Sequence, residues 1–291
     1  MLNDAVRAVL DAFHVSACSY VKPGAMHRLS LSPMLDHYIL AGHAMLPVVE
    51  KAYRRGEEVA RGERGMPEAG LGSLILDAAR MIYAWTGRPA PSLDAATGVL
   101  IVAAAAGHTY SSGKHVSLGE VRASAMRLVQ ASLPKDFADF YEALRVSGEH
   151  RAIDILEDKG LRPSRAGVEG LTLLDAFEAL GGEHPAYGAL SPRTGLFTHT
   201  ADLIRSRYEE ERNLNEAVVY AYASLIRNSL PADLRGMLEE AGGKEYMSTR
   251  DGGRILLKLD REMLKRGISL DKYVPILTMV LAALMLEGLR P

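Results

Sequence analysis

The sequence predicts an all-α fold, a single globular bundle of roughly a dozen helices covering residues 1–291. Three observations predict it. Apolar residues recur at spacings of three and four almost everywhere; period-two alternation is nearly absent; and Ser, Asn and Pro stand where helices need a first residue. A chain of 291 residues with 48% hydrophobic and 24% charged residues has ample material for a core.

The elements follow in order. Val6, Val9, Leu10 and Phe13 share one face of a first helix, which Pro23 and Gly24 must end. Ser32-Pro33 opens a long second helix, serine as N-cap and proline at N1, with Leu35, Ile39, Leu46 and Val49 on its apolar face. Residues 54–68, charged and containing glycine, read as an exposed loop. Gly70 to Trp85 is helical, and Ser92 to Gly107 reads as a buried central helix whose alanines let neighbours approach closely. Ser117-Leu-Gly-Glu120 is a capping box, and Pro134 starts another helix. Residues 160–170 read as a loop, 171–180 as helix and 184–200 as irregular. Asn213 caps a further helix, two short helices follow, and helices over 254–266 and 270–286 close the chain.

Composition excludes several classes. One cysteine, Cys18, rules out an internal disulfide framework and a cysteine-rich zinc site. A net charge of −2 provides no global field to recruit nucleic acid or an acidic membrane. The N-terminus is amphipathic rather than basic-then-apolar, and the apolar stretch 273–286 is too short to span a bilayer, so a cytoplasmic location is expected. Gln130 is the sole glutamine, asparagines are few and arginine outnumbers lysine, a bias that fits a thermophile or a genome-composition effect.

Most motifs fail on spacing. Gly107 to His115 has five residues between its glycines and a histidine after Lys114, where a phosphate-binding P-loop needs four and a hydroxyl. His37 and His43 are six apart, wrong for a shared zinc on one helix. No Gly-x-Ser-x-Gly elbow surrounds Ser111 or Ser112. The segment Tyr20 to Arg28 is different. Lys22, His27 and Arg28 gather around a Pro23-Gly24 corner beside backbone N–H groups, which suits either a phosphate cradle or a helix-ending turn with a solvated basic rim.

Lys22-Pro-Gly-Ala-Met-His-Arg28 resembles the Lys-Pro-Gly-Asn-Val-His-Arg type motif of the triphosphoribosyl-dephospho-CoA synthases and their archaeal relatives. Residues 70–77, 97–106, 140–145, 171–177 and 259–267 are similar to later segments of that family in the same order. Departures accompany the matches. The family's glutamate before Lys-Pro-Gly is absent, its Asn-Thr-Asn-x-Gly motif reads Ser92-Leu-Asp94-Ala-Ala-Thr97-Gly98, and its Arg-Asp pair reads Glu183-His184.

The resemblance implies an all-helical transferase that displaces adenine from ATP with the ribose 2′-hydroxyl of dephospho-CoA. It places Lys22, Gly24, His27 and Arg28 on phosphates and leaves Asp36 or Asp94 as the base or as ligands to Mg2+. Nucleoside triphosphate and dephospho-CoA are the implied partners, and a homodimer is compatible with it. Because several family carboxylates are missing, a repurposed relative that binds a phosphorylated ligand or a partner protein stands as the alternative. Convergence of Asp36, Asp94, Asp202 and Asp260 around the Lys22 turn separates the two.

Overall fold

A computed structural model describes residues 2–30 and 32–290, and among them every regular element is helical. The sixteen α-helices are α1 (Leu2–Cys18), α2 (Met34–Ala44), α3 (Leu46–Ala60), α4 (Leu71–Thr86), α5 (Leu93–Ser111), α6 (Leu118–Gln130), α7 (Pro134–Val146) and α8 (His150–Asp158), then α9 (Pro163–Glu169), α10 (Leu173–Leu180), α11 (Pro185–Ala189), α12 (Leu196–Glu211), α13 (Leu214–Ile226), α14 (Ala232–Gly243), α15 (Arg250–Lys265) and α16 (Val274–Glu287). None is long and apolar enough to cross a membrane.

Local chemistry explains many of the starts. Ser92, Ser117, Asn213 and Thr249 each accept a hydrogen bond from the backbone N–H three residues on, satisfying a donor the helix cannot. Pro134, Pro163 and Pro275 occupy first-turn positions that need no N–H.

Two helices form the centre. α5 has sixteen buried residues, and α16 is buried on every side from Val274 to Leu286. α1 lies along α16, and α3 runs against α5 in the most extensive contact of the molecule. Small residues make that contact possible. A Cβ on Gly56 would lie 1.9 Å from the Ala104 carbonyl oxygen, and one on Gly107 would lie 2.1 Å from that of Tyr53. Buried hydroxyls tie the helices further. Thr278 Oγ1 lies 2.7 Å from Ser16 Oγ and 2.6 Å from the Tyr38 hydroxyl, linking α1, α2 and α16. Phe140, Phe177 and Tyr187 join α7, α10 and α11, with ring centroids 5.3–5.5 Å apart. Trp85, the only tryptophan, stands 74% exposed near the end of α4.

The structure corrects the boundaries in four places. The long helix expected from Ser32-Pro33 is two helices, parted at Met45 just before Pro47, which has no N–H to donate. The loop expected over 54–68 is helical as far as Ala60: Tyr53, Gly56 and Val59 face the core, so Gly56 marks close approach rather than a break. Short helices α9 and α11 occupy the expected loops 160–170 and 184–200, and the second of these already contains the start of α12. These short pieces raise the helix number above a dozen.

Candidate functional site

The turn after α1 is held from the far end of the chain. Asn215 clamps Tyr20, accepting from its N–H at 2.8 Å and donating to its carbonyl at 2.7 Å. The Tyr222 hydroxyl donates to the Pro23 carbonyl at 2.8 Å. The N–H of Gly24 donates to Asp260 at 2.9 Å, and that of Met26 to Asp271 at 2.7 Å. Gly24 has φ +72°, and a Cβ there would fall 2.3 Å from the Met263 methyl, so the corner needs glycine twice over. The backbone donors expected to cradle a phosphate are therefore already engaged by the protein's own carboxylates.

Lys22 is fully buried, and its ammonium points back at α1, donating to the carbonyls of Ala17 at 3.2 Å and Ser19 at 2.5 Å. Burial lowers its pKa to about 7. It closes the C-terminus of α1 and does not line the cavity beside the turn, which corrects its assignment to a phosphate. Arg28 is exposed and lies over the Tyr20 ring, 3.7 Å from its centroid.

Beside the turn lies a cavity of about 450 Å³ between residues 24–30, Ser32, α15 and the segment leading to α16. Leu29, Leu257, Leu264 and Ile268 give it apolar walls, and His27, Asp260, Arg261 and Asp271 are its ionisable lining. The N–H of Leu29 donates to His27 Nδ1 at 3.2 Å, which leaves the neutral ring's proton on Nε2. That nitrogen is buried, without a hydrogen-bond partner, and 3.5 Å from Asp260 Oδ2, an electrostatic contact rather than a formed hydrogen bond. Partial burial pushes the Asp260 pKa up, but His27, the Gly24 N–H and Arg261 outweigh it, and the carboxyl sits below its ordinary range. Asp260 is thus an ionised carboxylate at an apolar cavity wall with a histidine behind it.

The other aspartates go elsewhere. Asp36 is exposed on the first turn of α2, and Asp202 is exposed on α12. Asp94 is buried, accepting from Ser92 Oγ at 2.5 Å and from the Ala95 N–H at 3.0 Å, so its carboxylate caps α5. Among the described residues no group of three or more His, Cys, Asp or Glu is arranged to hold a metal ion, so the residues present do not fit a magnesium site built on Asp36 and Asp94.

Asp94 belongs to a second constellation that sequence reasoning left unassembled. Its Oδ2 is 3.8 Å from His184 Nδ1, and Glu149 lies close enough to act on both. Burial pulls the His184 pKa down, but Asp94, Glu149 and Glu183 overcome it and raise it above the ordinary value. Burial, reinforced by the Asp94 charge, raises the Glu149 pKa. The signal was present in the sequence: two departures from the family pattern, at 92–98 and 183–184, meet here.

No family model and no curated protein matches the chain. Its fold is similar to that of a solved structure from Archaeoglobus fulgidus. That structure is described as a "putative triphosphoribosyl-dephospho-coA synthase"; it is 17% identical, with a TM-score of 0.51 over 84% of this chain and 99% of that chain. The family resembled by the sequence and the fold observed agree, and at this identity the agreement is one of fold.

Proposed function

We propose that the chain is a ribosyl-type transferase related to the triphosphoribosyl-dephospho-CoA synthases, with its reacting centre at the cavity lined by Asp260. The observation that supports this reading is the ionised Asp260 carboxylate, backed by buried His27, in a largely apolar cavity. The transfer breaks the bond between ribose C1′ and adenine and forms one between C1′ and the acceptor oxygen. Adenine leaves with the electron pair and takes up a proton, while the acceptor hydroxyl loses one. Positive charge develops on the ribose, as in glycoside cleavage. A fixed carboxylate in an apolar wall stabilises that charge more than it does in water, and in this reading it also accepts the hydroxyl proton. His27 acts through Asp260 as a positioning residue. ATP as donor and dephospho-CoA as acceptor come from the resemblance, as does the use of Mg2+.

A binding protein without turnover is the second reading, favoured by the placement of Asp36, Asp94 and Asp202 away from the Asp260 cavity. Free adenine, followed by chromatography with ATP, dephospho-CoA and Mg2+, distinguishes them, with an EDTA arm to measure the metal requirement. The transferase reading expects release that requires the acceptor and falls on the order of 100-fold or more in Asp260→Asn. ATP binding without release, from folded protein, supports the binding reading, and absence of both sinks the pair.

A further inference from the structure

A second hollow, of about 350 Å³, adjoins the Asp260 cavity, sharing Leu29 and Leu257 as a common wall. Its lining includes Tyr20, Arg250 and Arg254 and contains no carboxylate. The two hollows lie side by side along α15, one lined by Asp260, Asp271 and Arg261 and the other by Arg250 and Arg254.

The arginines are arranged by the helix itself. Arg250 and Arg254 are one turn apart, about 6 Å of rise, and Arg261 follows two turns later on nearly the same face. Arg250 and Arg261 make no hydrogen bond or ion pair among the described residues, and Arg254 reaches only Asp251, at 3.9 Å. Among the described residues other arginines, Arg7, Arg54 and Arg80 included, also lack a carboxylate or carbonyl partner, so what distinguishes Arg250 and Arg254 is their shared place on one hollow without a carboxylate. Arg28 adds a further guanidinium, stacked on Tyr20 at the edge of the same hollow.

We infer that the Arg250–Arg254 hollow holds the phosphate chain of an extended polyphosphate ester whose uncharged end lies against Asp260. The site rests on the transferase reading for its ligand class, but not for its charge or shape. It moves the anion contacts from the Lys22 turn, where the ammonium is buried, to α15, with Arg28 alone retained from the expected phosphate set. A planar guanidinium offers two parallel N–H donors to a phosphate, and a pair one turn apart spans adjacent phosphates.

The test is calorimetric titration of the intact protein with inorganic tripolyphosphate at low salt. Binding is expected to weaken roughly tenfold in Arg250→Gln or Arg254→Gln, and further in the double variant. Arg145→Gln, on α7 and also exposed, should bind as the parent does. Asp260→Asn should bind tripolyphosphate at least as tightly as the parent, since a negative charge is removed, while losing adenine release. No measurable tripolyphosphate binding by the parent, or unchanged binding in the double variant, overturns the inference. The adenine assay with Asp260→Asn judges the transferase reading separately. All four substitutions replace exposed or part-exposed side chains, so folding is checked simply by matching circular dichroism.

Discussion

Lys22 shows how one residue can be easy to find and hard to assign. Its place before Pro23-Gly24 is conspicuous, but the turn around it is fixed by Asn215, Tyr222 and Asp260, far along the chain. With its pKa lowered to about 7 by burial, folded Lys22 releases its proton well before the unfolded lysine at 10.5. Between those values the unfolded chain binds more protons, so stability rises with pH, at up to about 1.4 kcal/mol per pH unit. Urea unfolding at pH 7, 8 and 9 should show that rise in the parent and a flatter profile in Lys22→Met. His184 behaves oppositely. Its folded pKa is raised, so its stabilisation is complete below the unfolded value of 6.5 and disappears as pH climbs through the folded value. The urea midpoint of His184→Asn should therefore fall short of the parent's more at pH 5.5 than at pH 8.

At the scale of elements, what was legible is what is local. Ser92, Ser117, Asn213 and Pro134 announce helix starts because a cap acts over three residues. Gly56 was misleading for the reason that makes it necessary: glycine reads as a break, whereas here it admits the α5 backbone. Gly56→Ala should destabilise by about 3 kcal/mol, since the Ala104 carbonyl cannot retreat as a side chain could. Thermal unfolding of that variant beside Gly236→Ala, a helical glycine in α14 with open space around it, isolates the steric part. The candidate site was legible on one side only. The Lys22–Arg28 turn stood out, but its partners Asn215, Asp260 and Asp271 lie 195, 236 and 245 residues away, and no periodicity encodes that meeting.

For the whole molecule, the all-α class followed from periodicity, and the central position of α5 followed from its alanine run. The central α16 binds the beginning of the chain to its end, through α1 and through Thr278 with Ser16 and Tyr38. A core shared this way leaves little that can open alone, so far-ultraviolet circular dichroism and calorimetry should report one coincident transition. Two transitions would mean that α12–α15 separate from the rest.

The position of Trp85 sets how any of this can be watched. A lone indole already bathed in water near the end of α4 emits as a solvated fluorophore in the native state, and unfolding changes its surroundings little. Tyrosines such as Tyr38, Tyr53, Tyr187 and Tyr222 are shielded instead. Loss of the native state will therefore register in tyrosine absorbance and emission, while quenching of the tryptophan by iodide reports only on the surface around α4.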